Sequence, residues 1–389
     1  MKISRKGLSL AVAAAMPFVS FSSMAMFNGA DARGGAMGGT GVASAEYLTA
    51  SFYNPAMASN YTKGDNFGMV LPLVAVGVHD SGELYNKVDD FQEINDELGD
   101  NPSPQELEEW REALRELDDG ELDLEAIIGA SVAIPNRYVS ANVFIKAQVA
   151  SMVMTQIEDS DLDNPNPDPD DLDSTVQGLA GGTVDLGVTL AKEFALPFQG
   201  QRLSVGISPK FQKVVALNYL ASVSDFDDDE YDLDDHQDKS VFNFDLGVAY
   251  KPANNLTLAL AAQNVIKQEL DTNISFGSQA TFLVEPQYTA GIAYDTGWLL
   301  VAADVDLNER EYFRESSYKT QFARFGVELD AWHWAQLRAG YSHSMTDYSK
   351  DMLTAGLGFT PFGLFGMDIA AQFGEDDHYG VATQFVFMF

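Results

Sequence analysis

The chain has 389 residues, of which 46% are hydrophobic and 21% are charged, and its formal net charge is −35. Binding to nucleic-acid phosphates needs a basic surface, so this charge balance argues against a nucleic-acid partner. Cysteine is absent, which excludes disulfides, iron–sulfur clusters and thiolate zinc sites.

Residues 1–25 have the three parts of a secretory signal peptide. Three cations open the segment, an apolar stretch covers residues 8–19, and Ser23 and Ala25 supply the small residues of a cleavage site. We therefore predict an exported protein whose mature chain begins near Met26.

Residues 26–64 are unusually rich in glycine and alanine. The glycine spacing between Arg33 and Ala43 superficially resembles a dinucleotide-binding loop, but no strand precedes it and no βαβ unit follows. Small residues instead permit close approach of one backbone to another. The stretch leads into Asn54-Pro55-Ala56.

An external helical insertion is predicted over residues 80–121. Ser103 and Glu106 have the spacing of a capping box around Pro104, and the apolar residues that follow, from Leu107 to Leu117, lie on one helical face. A weaker helix precedes it. The two apolar faces would either form a hydrophobic capture groove or only pack against each other over the mouth of a barrel.

Alternation of apolar with small or polar residues dominates the chain after about residue 120. Phe244 and Leu246 are apolar, for example, whereas Asn243 and Asp245 are polar. A period of two indicates strands with one apolar face. No later apolar run reaches the roughly 18 residues of a membrane-spanning helix. The predicted strands are 65–79, 122–134, 137–157, 176–194, 201–223, 239–252, 254–268, 286–295, 297–311, 315–330, 333–346, 350–360, 364–375 and 378–389.

The connections between these fourteen strands differ in length on the two sides. Short turns fall on the side of the C-terminus, whereas the long connections 80–121, 158–175, 224–238 and 269–285 fall on the other. Short periplasmic turns and long external loops are typical of outer-membrane barrels. The predicted fold is therefore an all-β membrane protein, a 14-stranded antiparallel β-barrel over 65–389 in a Gram-negative outer membrane.

The last strand ends on an aromatic residue. Alternating apolar side chains run from Tyr379 to Phe389, the pattern of a C-terminal insertion signal. As an unpaired edge, such a strand would invite aggregation. We predict that Phe389 is recognised by the barrel-assembly machinery.

Two external loops, 158–175 and 224–238, are strongly acidic. Asp225, Asp227 and Asp229 have the spacing of the first calcium ligands of an EF-hand, but the later positions do not fit. The loop is therefore either a weak Ca²⁺ or Mg²⁺ site that bridges to lipopolysaccharide, or a solvated, self-repelling segment. We predict no other metal site and no cofactor.

Polar residues on the non-apolar face of the strands would line the barrel lumen. They would either line a transport path or only solvate and cross-link the interior. Pro209 could kink its strand. The five histidines lie in no metal or catalytic spacing, so no enzymatic activity is predicted. The predicted lumen residues are Asp185, Asp245, Asp304, Asp306, Arg324, Glu328, Arg338 and Gln384.

The glycine-rich segment with the following Asn-Pro-Ala resembles the start of FadL-type outer-membrane transporters of fatty acids and aromatic hydrocarbons. Within that superfamily it is most similar to exported proteins named conjugal transfer protein TraF. The resemblance implies that residues 26–64 are a hatch inside the barrel. The matching positions are Arg33, Gly34, Gly38, Gly39, Gly41, Asn54, Pro55 and Ala56.

Three functions remain open from the sequence. The first is passive uptake of a hydrophobic small molecule, such as a long-chain fatty acid or hydrocarbon, gated by the hatch. The second is a TraF-type surface protein associated with conjugal transfer or cell contact, and the third is a porin for polar solutes. The expected surroundings are outer-membrane lipid and lipopolysaccharide, with a monomer as the expected state.

Overall fold

Fourteen antiparallel strands pair in one closed ring, so the predicted barrel is confirmed. The computed structural model describes residues 29–62, 66–99, 102–118, 120–165, 167–169, 171–197, 200–224, 236–316, 318–332, 334–347, 349–374 and 378–389. The predicted signal peptide, with its cleavage site, lies outside these residues.

The ring closes where the first strand pairs with the last, and consecutive barrel strands are otherwise neighbours. Its strands are β1 (Gly68–Ser81), β2 (Glu121–Ile134), β3 (Ser140–Gln156), β4 (Thr175–Ala195), β5 (Arg202–Ser222), β6 (Gln237–Ala253), β7 (Leu256–Gln263), β10 (Gln287–Asp295), β11 (Leu299–Asp306), β14 (Phe322–Asp330), β15 (Ala335–Ser344), β16 (Met352–Phe359), β17 (Phe365–Gly374) and β18 (His378–Met388). Two hairpins outside the ring are β8 (Gln268–Asp271) with β9 (Thr281–Val284) and β12 (Arg310–Glu311) with β13 (Lys319–Thr320).

The alternation read from the sequence separates the two faces of the wall. In β6, Asn243 and Asp245 are buried inside, whereas Phe242 and Leu246 are exposed on the outside. Because successive side chains of a strand point to opposite faces, the same pattern repeats around the ring. The outside is an apolar belt suited to lipid, and the inside is polar.

Three predicted strands are too long at their external ends. The predictions 254–268, 297–311 and 315–330 correspond to the shorter β7, β11 and β14. Alternation continues past the point where the chain leaves the wall, because the next residues pair in the β8–β9 and β12–β13 hairpins. A local pattern cannot distinguish these two kinds of pairing.

The helical insertion follows β1 as predicted. It consists of α3 (Leu84–Glu97) and α4 (Pro104–Glu116), and the capping box of Ser103 and Glu106 is present. Trp110 and Phe91 are fully buried between the helices, and the Trp110 indole Nε1 donates to Asn95 Oδ1 at 2.8 Å.

The apolar faces of α3 and α4 are occupied by each other and by the barrel rim. Leu84, Leu114 and Leu117 belong to one cluster with Leu172 and Val223, residues at the external ends of the wall. This packing favours mutual burial over an open capture groove. No helix in the described part of the chain is long and apolar enough to cross a membrane.

Pro209 does not break its strand. β5 is continuous from Arg202 to Ser222, and the pairing register with β4 is the same on both sides of Pro209. A bend of the strand at Pro209 therefore stays a prediction, but the proline introduces no break and no register shift.

Candidate functional site

The N-terminal segment, residues 29–62, lies inside the ring of strands. It contains the short helices α1 (Ala32–Gly35) and α2 (Ala50–Tyr53) and a 3₁₀ turn at Pro55–Ser59, and most of its residues are buried. Its hydrogen bonds reach opposite sides of the wall. Gly38 N donates to Thr354 Oγ1 of β16 at 2.8 Å, and Thr189 Oγ1 of β4 donates to Ser51 Oγ at 2.8 Å.

Glycines on the wall leave room for the backbone of this segment. A Cβ added at Gly247 would lie 1.8 Å from Asn54 Oδ1, and one at Gly340 would lie 2.2 Å from Gly38 N. Both positions would collide with the segment, so its close approach needs glycine there. Gly206, Gly326 and Gly356 contact the segment in the same way.

Asp31 and Tyr53, which the sequence analysis did not single out, hold the segment in shape together with Gly34 of the predicted motif. Asp31 caps α1, accepting a hydrogen bond from Gly34 N at 2.7 Å and another from the Tyr53 hydroxyl at 2.6 Å. Burial raises the pKa of Asp31, partly offset by Tyr53 and Gly34, and burial and then Asp31 raise the pKa of Tyr53. The raised pKa of Tyr53 keeps its hydroxyl protonated near neutral pH, so this hydroxyl can donate to Asp31.

Asn54 connects two parts of the segment. Its side-chain amide donates to Val42 O at 2.8 Å, and its Oδ1 accepts from Ala56 N at 3.0 Å, capping the turn that starts at Pro55. Gly41 packs against the ring of Tyr53 so closely that a Cβ would lie 2.3 Å from it. Gly38 and Gly39 have φ values of 71° and 87°, a conformation that favours glycine.

Arg33 forms a bidentate ionic contact between the segment and the wall. Its guanidinium makes two hydrogen bonds to the Glu328 carboxylate of β14, at 2.8 and 2.9 Å. Burial alone would lower the pKa of Arg33, but Glu328 and then Glu46 outweigh it and raise the pKa. Bidentate pairs of this kind fix geometry as well as charge.

The same carboxylate begins a wall network. Arg338 Nε donates to Glu328 Oε2 at 2.6 Å, Arg338 Nη1 donates to Asp368 Oδ1 at 2.5 Å, and Gln384 Nε2 donates to Asp368 Oδ2 at 2.9 Å. Four strands are thereby linked beneath the segment. The sequence singled out Arg338 and Gln384 but missed Asp368, which has the inward position of its strand and could have been found from alternation.

Asp304 holds the middle of the segment through backbone groups. Its Oδ2 accepts from Gly41 N at 2.7 Å and from Val42 N at 2.9 Å. Asp306, two residues later on the same face, instead pairs with Arg324 on the neighbouring strand at 2.8 and 2.9 Å. One predicted lumen carboxylate thus contacts the segment, and the other belongs to the wall alone.

Asp185 and Asp245 meet at a residue that the sequence analysis did not single out. The Lys210 ammonium lies 3.0 Å from a carboxylate oxygen of each, and all three side chains are buried. Every predicted lumen residue therefore faces the interior, and three of them, Asp304, Glu328 and Gln384, form hydrogen bonds with the described part of the N-terminal segment.

The external hairpins close the lumen above the segment. Phe282 of β9, with Tyr312, Phe313 and Tyr318 of the loop that carries β12 and β13, packs on inward residues of the wall such as Met152. Burial raises the pKa of Tyr312 to about 12. Between this cap and the N-terminal segment lies a cavity of about 150 Å³. Sequence reasoning missed the cap, although two aromatic residues, Tyr312 and Phe313, in the supposed turn 312–314 were a usable signal.

The acidic loops provide no described metal site. No group of three or more histidine or acidic side chains within the described ranges could hold a metal ion. Asp225, Asp227 and Asp229 lie outside those ranges. In the other acidic loop, Asp161 accepts hydrogen bonds from Asp173 N and from the backbone and hydroxyl of Ser174, so the loop itself engages this carboxylate.

Phe389 lies at the closing seam of the barrel. Its backbone N–H donates to Phe67 O at 2.9 Å, and the two rings are 5.9 Å apart. Its side chain is exposed. The terminal aromatic ring is therefore accessible, and its recognition by the barrel-assembly machinery stays a prediction.

Residues 51–306 match the family described as "F plasmid transfer operon, TraF, protein". No curated protein matches the sequence significantly. The match covers most of the chain, including the end of the N-terminal segment and the barrel up to β11.

Solved structures of similar fold cover nearly the whole chain. The toluene transporter TbuX of Ralstonia pickettii is 12% identical with a TM-score of 0.58, covering 93% of this chain and 99% of that one. The toluene transporter TodX of Pseudomonas putida is 13% identical with a TM-score of 0.53, covering 94% and 99%. A FadL homologue of Pseudomonas aeruginosa is 11% identical with a TM-score of 0.51, covering 94% and 98%. The resemblance to FadL-type barrels and TraF-named proteins is thus confirmed, at the level of fold.

Proposed function

The chain belongs to the family described as F plasmid transfer operon, TraF, protein, and we propose that it is a passive uptake channel for small hydrophobic molecules in the outer membrane. In this proposal residues 26–64 act as the hatch that closes the lumen. Movement of the hatch opens a route, and the protein performs no chemistry and uses no energy source.

The observation that carries the proposal is the way the N-terminal segment is held inside the barrel. Directed polar contacts, such as Arg33 with Glu328 and Gly41 with Asp304, join it to the wall. Polar contacts can be exchanged for water at a net cost of roughly 0.5–1.5 kcal/mol each, more where a charge is involved. Such an element can move as a unit while the wall retains its own hydrogen-bond ladder.

The fold supports a transport role and the choice of cargo class. The similar barrels are described as a toluene transporter in two cases and as a FadL homologue in the third. In this chain, charged side chains form a large part of the lining of the lumen cavity. We therefore place the apolar cargo in contact with both aromatic and polar groups.

Two other functions are each favoured by one observation. The family description favours a surface protein associated with conjugal transfer, for which the α3–α4 hairpin would be the exposed element. The charged cavity lining favours a porin for polar solutes. A porin predicts a steady ion conductance in the wild-type protein, and a surface role predicts unchanged uptake in a deletion strain.

The cellular setting completes the proposal. A cleaved signal peptide exports the chain, the barrel-assembly machinery inserts it through Phe389, and it functions as a monomer among lipopolysaccharide. A weak Ca²⁺ or Mg²⁺ site at Asp225, Asp227 and Asp229 would bridge the external loop to lipopolysaccharide phosphates.

Uptake by intact cells tests the proposed function. A deletion strain and the same strain complemented with the full chain are given radiolabelled toluene or oleate, and the purified protein is analysed by mass spectrometry for retained ligands. We expect several-fold faster uptake of at least one probe in the complemented strain. Equal uptake combined with a loss of conjugal transfer in the deletion strain would contradict the proposal and favour the surface role.

A further inference from the structure

A shallow groove interrupts the apolar belt on the outer face of the barrel wall. Its floor consists of three alanines, Ala290 of β10, Ala303 of β11 and Ala323 of β14. Each alanine occupies an outward position, and Ala303, for example, lies between the buried Ala302 and Asp304. The groove is therefore on the lipid side of the wall and separate from the lumen. Bulkier exposed side chains form its sides, namely Ile292, Phe325 and Tyr341.

The strand register explains why a groove forms here. Two adjacent rows of outward residues cross the same four strands, and both rows combine small with large side chains. The first row is Ala290, Val305, Ala323 and His343, and the second is Ile292, Ala303, Phe325 and Tyr341. Because the three alanines lie on adjacent strands in neighbouring rows, their short side chains leave a depression between the larger ones. Its volume is about 520 Å³.

The groove lies in the external half of the apolar belt. Trp298, Trp332 and Trp334 are exposed in the short turns β10–β11 and β14–β15, where tryptophan marks a membrane interface. His343 follows Trp334 by nine positions along β15, which corresponds to a height of about 23 Å for a strand tilted by roughly 40°. An apolar band of this kind is about 25 Å tall. His343 therefore lies at the level of the outer headgroups, and the groove lies just below it.

His343 is an ionisable residue on this lipid-facing side, and Asp351 fixes its orientation. The imidazole Nδ1 lies 2.9 Å from Asp351 Oδ1 and 3.1 Å from Asp351 Oδ2. The Tyr341 hydroxyl also donates to Asp351, and Ser344 N donates to it at 2.8 Å. A protonated imidazole donates through both ring nitrogens. Because Asp351 uses Nδ1, Nε2 on the far side of the ring is the atom that donates to a second anion.

We propose that this groove holds one acyl chain of lipid A, the phosphorylated and acylated anchor of lipopolysaccharide. The chain lies over the three alanines, and a phosphate oxygen accepts a hydrogen bond from His343 Nε2. A face within the apolar belt is covered by lipid or by protein, and a cationic donor at headgroup level is complementary to a lipid phosphate.

The size of the groove agrees with this occupant. Its volume of about 520 Å³ is more than three times the ~150 Å³ that holds one benzene ring, which suits a chain on the order of 12–18 carbon atoms. The site lies outside the lumen, so it does not depend on the proposed uptake function.

Native mass spectrometry of the full-length protein in detergent, with purified lipid A as the probe, tests the site. We expect one lipid A molecule to be retained per barrel, and its dephosphorylated form to bind at least tenfold more weakly, because hydrogen bonds between charged groups are strong. Ala303→Trp fills the floor of the groove and should lower the affinity for lipid A at least tenfold. His343→Leu removes the donor, keeps an apolar side chain in the belt and should abolish the preference for phosphate.

Ala355→Trp is the matched control for Ala303→Trp. It also places tryptophan at an exposed outward alanine, in β16, but Ala355 does not line the groove, so lipid A retention should equal that of the wild type. Failure of the wild type to retain lipid A, equal retention in the two tryptophan variants, or an unchanged phosphate preference in His343→Leu would overturn the site. A wild-type dimer that Ala303→Trp dissociates would also overturn it, because a second copy would then cover the groove.

Discussion

Replacing Glu328 with glutamine is expected to open the lumen to ions. The substitution keeps the size of the side chain but leaves Arg33 without its bidentate carboxylate partner and Arg338 with Asp368 alone. Breaking a buried ion pair from one side costs ~3–5 kcal/mol. If that cost falls on the closed position of the N-terminal segment, the open fraction rises about a hundredfold or more. Single-channel recording in planar bilayers measures this open fraction.

A buried ion pair within the wall provides the control. Asp306→Asn breaks the bidentate pair with Arg324, which involves no residue of the N-terminal segment. This variant should lose comparable stability and stay closed. Equal conductance in Glu328→Gln and Asp306→Asn would mean that the channel leaks through general destabilisation. A Glu328→Gln variant that stays closed would show that the Arg33–Glu328 pair does not hold the N-terminal segment in its closed position.

Placing valine at Gly247 should displace the segment by steric collision. The first side-chain carbon would lie 1.8 Å from Asn54 Oδ1 and 2.8 Å from Ala56 N, well inside contact distance. Valine itself suits a strand, so the wall should still form. We expect a conductance increase of at least tenfold and faster proteolysis of residues 29–62. Single-channel recording and limited proteolysis of the folded protein check the two effects.

Gly366→Val is the matched control for this substitution. It also puts valine into a barrel strand, but the nearest atoms belong to Thr360 and Val386 rather than to the N-terminal segment. The control should remain closed and resistant to proteolysis. A folded Gly247→Val barrel that behaves like the control would show that the segment tolerates displacement at Asn54 without opening the lumen.

The barrel could be predicted because the alternation that identifies its strands is a local property of the sequence. Alternation in β6, from Asn243 to Tyr250, marks a strand with two different faces, and loop lengths distinguish the two ends of the ring. The external ends of β7, β11 and β14 could not be predicted in the same way. There the alternating chain leaves the wall and pairs in hairpins over the lumen, a choice fixed by contacts with distant residues such as Met152.

The sequence predicts which residues of the candidate site point into the lumen, but it does not predict which of these residues contact each other or the N-terminal segment. Alternation places Glu328 and Asp304 in the lumen, and the glycine-rich motif identifies the segment that they contact. Which carboxylate meets Arg33 depends on how the segment lies in three dimensions, because the partners are separated by 295 positions in the sequence. Arg310, which lines the cavity beneath the cap, was missed because its loop folds inward, whereas Lys146 lies within the predicted strand 137–157 and could have been found from alternation.

Movement of the N-terminal segment is the central claim, and a reversible cross-link tests it most directly. Ser51 Oγ and Thr189 Oγ1 are 2.8 Å apart, and the chain has no other cysteine to interfere with a Ser51→Cys/Thr189→Cys pair. The measurement is uptake of radiolabelled toluene and oleate by cells with this double variant, before and after reduction, with Ser51→Cys alone as control. We predict that oxidation abolishes uptake and that reduction restores it. Uptake at the same rate in both states, with the disulfide verified by mass spectrometry, would contradict gating by the segment.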